Sequence, residues 1–275
     1  MSETCTETAK TPTRWQAFIF WLCNDGRYLD RGRARSPRAI DPWRLIPFIA
    51  IHVGCLAVIW TGVSWFAAGL ALGLYLGRMF LITAFYHRYF AHRAFESSRI
   101  FRFIVAVLGC TAGQRGPLWW ASHHRQHHIH SDTALDPHSP QTDSFWFSHV
   151  LWFLTRDAFS VRWAHIKDLQ RIRELVLLER FDWVPLVILG ALCFLVGDWA
   201  QTAHPGWNTS GWQTLVWGFF ISTTLLYHAT YTINSFAHRY GRRRFDTPDH
   251  SRNNFLLARS EEHTSELQSR PHISY

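Results

Sequence analysis

Residues 66–92 read FAAGLALGLYLGRMFLITAFYHRYFAH, an apolar run that closes on two histidines, His87 and His92. The part from 66 to 86 carries a single charge, Arg78, and approaches the roughly 20 residues a helix needs to cross a ~30 Å hydrocarbon layer. Three other stretches approach that length, at about 45–64, 184–200 and 212–233. They pair into two hairpins, because the joint Gly62–Trp65 and the loop Gln201–Gly211 contain no Lys or Arg, whereas every basic residue except Arg78 falls in the N-terminal, middle or C-terminal segment. That asymmetry places both termini and the middle segment 87–183 on the cytoplasmic side. The fold expected is all-α and integral to the membrane: four transmembrane helices in two hairpins under a helical cytoplasmic cap. Arg78, inside the second span, is expected to snorkel to the bilayer edge.

The middle segment holds apolar runs too short to span, 101–112 and 145–154, which are expected at the interface or in the cap. Val161–Arg180 repeats apolar residues at helical spacing and is read as one amphipathic cap helix. With no repeat and no linker, residues 1–258 form one domain, of which 1–44 is a cytoplasmic N-terminal segment without the features of a signal peptide.

Composition narrows the function classes. The chain has 275 residues, 48% of them hydrophobic, and a net charge of +8, with only two lysines among 28 basic residues. Heavy arginine use suits a GC-rich bacterial genome, and hence an inner-membrane location. The basic residues flank apolar spans and do not form one stripe beside base-stacking aromatics, so anionic lipid headgroups fit better than nucleic acid. Five cysteines with no CxxC pair exclude a thiolate zinc finger and imply no disulfide framework.

The 17 histidines cluster. His123, His124, His127, His128 and His130 crowd into HHRQHHIH, and on a helix His124, His127 and His128 fall on one face and can aim three imidazoles at one point. His87 and His92, five apart, diverge on an ideal helix, so they bracket a distorted helix end or serve two metals. Asn234 and His238 form an i, i+4 pair after the fourth span. Imidazoles massed this way repel when protonated, which argues for a metal: zinc, copper, nickel or iron by ligand type. The isolated His52, His165, His204, His228 and His250 are read as ordinary hydrogen-bonded residues. A transporter would carry its ligands through the spans, whereas these sit at span ends and in the cap, as an enzyme would need.

At these residues the chain resembles the membrane fatty acid desaturases, in particular the acyl-CoA desaturase group, whose pattern is HxxxxH, HRxHH, NxxxH and a final HxxHH. His87 and His92 match the first box, His124, Arg125, His127 and His128 the second, Asn234 and His238 the third. The likeness continues through Asp132, Asp136–His138, Phe147–Val150 with Trp152, and Ser251–Asn254, covering about residues 42–258. It implies two iron ions held by His87, His92, His124, His127, His128 and His238, with Asn234 acting through a water. Arg125, Asp132, Asp136, His138, Phe147, His149 and Trp152 would support the ligands or line an acyl tunnel. It also implies O2 as co-substrate, a long-chain acyl substrate (an acyl-CoA desaturated at delta-9 by family default) and an external electron donor of ferredoxin, rubredoxin or cytochrome b5 type. An unactivated methylene has no acidic proton, so such chemistry needs a strong oxidant in a dry site. A histidine-box hydroxylase or alkane monooxygenase is the rival enzyme, and a non-catalytic metal-binding membrane protein the rival of another class.

The chain departs from the family pattern at its end. No HxxHH follows Asn254, and residues 259–269, RSEEHTSELQS, resemble the in-frame translation of a sequencing adapter. Residues 259–275 are therefore expected to be a non-native tail, His263 and His272 are excluded as ligands, and the chain as it stands is expected to bind iron poorly and to be inactive.

Overall fold

A computed structural model describes residues 11–32, 36, 38–236, 238–242 and 252. The tail 259–275, His250 and the Ser251, Asn253 and Asn254 positions lie outside the described residues. Among those described, the chain is helical throughout and forms no strand, only an isolated bridge between Ile40 and Thr155.

A short helix α1 (Arg14–Leu22) opens the described chain, closed by a reciprocal capping box between Thr13 and Gln16. Asp41 and Pro42 then start α2 (Pro42–Thr61): the Asp41 carboxylate accepts from Trp43 N, and proline sits where its missing N–H costs nothing. Ser64 caps α3 (Trp65–Ala91), α-helical to Phe80 and π-helical from Leu81. After α4 (Arg99–Cys110) and α5 (Pro117–His130) the chain runs through short turns to α6 (Arg173–Arg180). Two long helices follow, α7 (Val184–Ala203) and the continuous helical run α8 (211–236).

Three of these, Pro42–Thr61, Trp65–Ala91 and Val184–Ala203, are long and apolar enough to cross a membrane. Their outer faces expose Ile59, Leu72, Leu76, Leu192 and Leu195, side chains that water would penalise and lipid would not. Exposed tryptophans gather around the connections after α2 and α7 (Trp60, Trp65, Trp199, Trp207 and Trp212) and again near the starts of α1, α2 and α7 (Trp15, Trp43, Trp183), as in the aromatic belts of membrane proteins. The fourth expected stretch is the run α8, which is not among the three. Its Thr214, Ser222 and Thr223 are buried and polar, and they dilute its apolar content.

Ser222 and Thr223 serve Arg78, which does not snorkel as the sequence suggests. Arg78 is 2% exposed and points into the bundle. It donates to Ser222 Oγ (2.6 Å), Thr223 Oγ1 (2.8 Å), Thr111 O (3.2 Å) and Leu74 O (3.1 Å), so α8 supplies hydroxyls where α3 supplies a charge. A guanidinium in hydrocarbon persists only with its donors met.

A second correction concerns Val161–Arg180, which is not one helix. Two 3-10 turns, Trp163–His165 and Leu169–Arg171, precede the α-helical Arg173–Arg180. Ile166, Leu169 and Leu175 are buried as their spacing demands, but the backbone is recruited elsewhere: Arg162 N donates to Ser122 Oγ, and the His165 carbonyl accepts from Arg125. The runs 101–112 and 145–154 behave as expected of short elements, the first forming α4 and the second a π-turn, Phe147–Leu151, followed by a 3-10 turn, Trp152–Leu154.

Close helix packing sets the frame of the site. Gly109 on α4 faces the Tyr86 ring on α3, where any Cβ would overlap the aromatic carbons. Tyr86, Phe90, Leu118, Ile166, Leu175 and Leu226 fill the core between α3, α5, the cap turns and α8.

Candidate metal centre

The π-helical end of α3 resolves the five-residue spacing of His87 and His92. In a π-helix each N–H reaches the carbonyl five residues back, and here His92 N donates to His87 O at 3.0 Å. Residues i and i+5 therefore share a face, and the two rings meet with centroids 4.4 Å apart. Thr83, at the junction, donates its hydroxyl to Met79 O and Phe80 O and so competes for the carbonyls where the helix widens.

Helix α5 brings the second cluster against this face. His124 lies 4.7 Å from His87 and 5.1 Å from His92, and His128 lies 4.7 Å from His92, centroid to centroid. His124 Nε2 is 3.0 Å from His92 Nε2 and 2.8 Å from His128 Nε2. Ligand atoms of His87, His92, His124 and His128 all lie within 4.8 Å of one another. Nitrogens this close turn lone pair on lone pair unless a proton or cation sits between them, and a set of imidazoles without thiolate suits iron, zinc, copper or nickel. The four residues fit a metal ion. Trp120 stacks on His124 at 4.7 Å and walls the cluster on one side.

A second group lies beside the first. His127, on the next face of α5, stacks on His138 at 4.4 Å and approaches His238 at 5.3 Å. Two carboxylates orient these rings. His127 Nδ1 sits 2.9 Å from Asp136 Oδ1, and His238 Nδ1 sits 3.2 Å from Asp132 Oδ2, so a metal would meet each ring through Nε2. Asp136 also accepts from Asp132 N and His138 N, and Asp132 accepts from the Ser139 hydroxyl. Burial alone would raise the Asp136 carboxyl, but His127 and His138 hold it well below the usual carboxylate range. Burial, with His127 beside it, pushes His138 down to about 3, so its ring is neutral at physiological pH.

Arg125, between the histidines of the second box, joins the two helices. Its guanidinium donates to Ala91 O (2.8 Å) and Phe90 O (2.7 Å), the last carbonyls of the π-helix, and to His165 O and the Asp168 carboxylate. It thus fixes the α3 end that carries His87 and His92 against the helix that carries His124 and His128. Asp168 is raised by burial, but its bonds from Arg125 and Arg93 outweigh this and hold it at about 2.

The start of α5 is held by acids from far along the chain. Glu179 Oε2 accepts from Leu118 N (3.0 Å) and Trp119 N (3.1 Å), and Asp182 Oδ2 accepts from Gly116 N (2.9 Å) and Arg115 Nε (2.9 Å). These occupy donors that a helix start leaves unmet. Burial, with Asp182 adjacent, pushes Glu179 up to about 8.

Of the remaining residues predicted from sequence, Asn234 and Trp152 line the same cavity as the histidines. Phe147 packs against Trp119 and Trp152. His149 belongs to another set: its Nδ1 is 2.9 Å from Ser235 Oγ and its Nε2 3.2 Å from His228 Nδ1, while His228 Nε2 is 3.2 Å from His52 Nε2 and His52 Nδ1 is 2.8 Å from Phe48 O. His52 and His228, read singly from sequence, are thus two rungs of one ladder. Sequence reasoning also passed over Asp168, Glu179 and Asp182, lone acids with no motif around them. It counted His123 in the cluster without a role; its Nδ1 lies 3.0 Å from Trp119 O, and burial pushes the ring well below its ordinary value.

The cavity measures about 510 Å³. It is lined by His124, His127, His128, His238 and Asn234, by Trp119 and Trp152, by Arg44 and Arg115, and by Trp21, Leu22 and Trp183. Mostly apolar, with the imidazoles in its wall, it suits an apolar ligand.

The family model for fatty acid desaturases matches residues 63–261. An acyl-CoA 5-desaturase of Anemone leveillei is 35% identical over 222 residues, 79% of this chain and 64% of its own length. The sn-1 stearoyl-lipid 9-desaturase of Anabaena variabilis is 33% identical over 77% of this chain and 74% of its own, and a hex-5-enoyl-[acyl-carrier protein] acetylenase of Moorena producens is 31% identical over 78% and 69%. The chain therefore spans roughly two thirds to three quarters of the length of these relatives.

Proposed function

The chain belongs to the fatty acid desaturase family, and on that premise we propose that it removes two hydrogens from a long-chain acyl group at a two-iron centre, leaving a cis double bond. The observation that carries this reading is the convergence of four imidazoles from two helices, with two carboxylate-oriented imidazoles beside them, next to a mostly apolar cavity that His124, His127, His128 and His238 line. His87, His92, His124 and His128 would hold one ion; His127 and His238, with Asn234 through a water, would contribute to the other. Iron bound there supplies O2 activation, and O2 with two electrons and two protons leaves as two waters when the acyl chain loses two hydrogens. The protein's own role is to orient the ligands through Asp132, Asp136 and Arg125, to hold the acyl chain still, and to exclude water with Trp119, Trp120 and Trp152.

The electrons come from a separate carrier of ferredoxin, rubredoxin or cytochrome b5 type. On the same reading four spans form two hairpins, α8 being the fourth, with the site on the cytoplasmic side of a bacterial inner membrane and delta-9 as the default position. The three apolar helices, the two tryptophan belts and the helical run 211–236 support it.

The test is iron content together with the fatty acid profile of a host producing the chain, with and without an HxxHH segment joined after Arg252. We expect fewer than two irons and no new product from the chain as it stands. With the added box we expect two irons and a new monounsaturated species, both lost in His124→Ala. A hydroxylated product would move the reading to the hydroxylase, and metal-free protein in both forms would sink it.

A further inference from the structure

His238 lies in the turn that follows α8, beyond the helical run 211–236. Helix ends fray, because their last four carbonyls have no partner inside the helix, so a ligand placed there is only as fixed as the contacts that replace those bonds. Here such contacts come from the cap. The carbonyl of Asn234, in the last turn of α8, accepts from the buried Ser148 hydroxyl at 2.9 Å. The following residue on each side repeats the grip, His149 Nδ1 lying 2.9 Å from Ser235 Oγ, and Phe145 sets its ring edge-on to Phe236 at 5.0 Å.

His238 itself sits in a closed hydrogen-bond circuit. Its Nδ1 lies 3.2 Å from Asp132 Oδ2, and Asp132 Oδ1 accepts from the Ser139 hydroxyl. Ser139 Oγ in turn accepts from Gln141 N (3.1 Å), and Gln141 Nε2 donates to the His238 carbonyl (2.9 Å). The circuit therefore holds the imidazole and the backbone of His238 at once. Asp132 is bent to this use: its φ of +58° lies in the left-handed region that a residue other than glycine seldom takes, and its N–H is held by Asp136 Oδ2. A backbone kept there persists only where its surroundings over-determine it. Ser139 and Ser148 are fully buried, whereas Gln141 is exposed, so its side chain packs no core and its amide serves the one carbonyl.

From this circuit and the Ser148 grip, we infer that Ser139, Gln141 and Ser148 are positioning residues of the metal centre: they hold Asn234 and His238 at the site where α8 itself no longer does. This rests on reading those two residues as part of the metal centre. Every bond involved is made by residues 132–149 and 234–238, so the third motif is seated by the segment that follows the second and not by the periodicity of its own helix. The three side chains touch no ligand atom and act through Asp132, the His238 carbonyl and the Asn234 carbonyl.

The experiment is histidine modification by diethyl pyrocarbonate on the full chain, metal-free in detergent, with modified peptides mapped by mass spectrometry. His238 is buried, so its modification reports how often the ring leaves its seat. Gln141→Glu keeps the shape of the side chain and removes its N–H, whereas Gln141→Lys keeps a donor. We expect Gln141→Glu and Ser148→Ala each to raise His238 modification about five- to tenfold, the weight of one hydrogen bond in a local opening. Gln141→Lys should stay near the wild type, and His123, buried on α5, should stay protected throughout. His238 modification that is unchanged in Gln141→Glu and Ser148→Ala, or that rises only together with that of His123, overturns the inference. A rise in Gln141→Lys equal to that in Gln141→Glu overturns it too. A parallel wild-type sample loaded with zinc tests the premise: zinc that fails to shield His124 and His128 overturns the metal reading and the inference together, whereas the other adverse outcomes overturn the inference alone.

Discussion

Asp136 meets the ring of His127 and two backbone N–H groups, and Asp132 does the same office for His238 through a single oxygen. Carboxylates behind metal-binding imidazoles fix the ring and its tautomer, and their loss typically costs 10–100-fold in metal affinity. Asp136→Asn should therefore weaken binding by about that factor, read by iron or cobalt titration, with helix content by circular dichroism unchanged. Arg125 acts on geometry instead. Its four acceptors include the last carbonyls of the π-helix, and hydrogen bonds from charged donors are worth roughly 1.5–3 kcal/mol each. Arg125→Lys, which cannot span them all, should lower the unfolding free energy by about 2 kcal/mol in detergent. Its partner Asp168 adds a pH dependence: with the folded value held at about 2, below the unfolded ~3.9, its stabilisation is complete above pH ~4 and fades as pH falls toward 2. The wild type should show this acid limb in a denaturation series, and Arg125→Ala should shorten it.

The π-helix at Leu81–Ala91 is the element on which the site turns, because only an i, i+5 ladder puts His87 and His92 on one face. Gly109 lets Tyr86, one residue before His87, lie flat against α4. Gly109→Leu should overpack that contact, costing about 1–3 kcal/mol, and should also lower metal affinity, since the ring it displaces sits on the π-turn; thermal unfolding and metal titration read the two effects separately. The histidine boxes were legible in the sequence because ligand spacing on a helix is periodic, and the spacing of five announced a distortion. Its form was not legible, since a threonine such as Thr83 is common in α-helices and the carbonyls that Arg125 takes up lie some 35 residues before it in sequence. Val161–Arg180 misled for a related reason. Burial of Ile166, Leu169 and Leu175 satisfies a helical pattern, while the backbone between them serves Ser122 and Arg125. Glu179 and Asp182 had no local sign either, because the helix start they serve lies about 60 residues upstream.

At the scale of the molecule, three long apolar helices were readable because lipid demands long uninterrupted runs, and Arg78 was misread because its partners lie on α8, far away in sequence. Cysteines placed at Lys167 and at Asn208, both exposed, should react with a membrane-impermeant maleimide from opposite faces of sealed vesicles, above the background of the native thiols. Labelling from one face would contradict the hairpin arrangement. The ladder from Ser235 through His149 and His228 to His52 links the cap turns to α2, and its order is dictated from one end. The Phe48 carbonyl can only accept, so His52 carries its hydrogen on Nδ1 and receives on Nε2; His228 is then the Nε2–H form and His149 the same, and Ser235, whose hydroxyl also lies 3.1 Å from Tyr231 O, turns its hydrogen to His149. A proton added to His228 on Nδ1 would face the hydrogen of His149 Nε2 and oblige that rung to let go, whereas one added to His149 would only turn the Ser235 hydroxyl to Tyr231 O, so this seam between helices would part first at its middle.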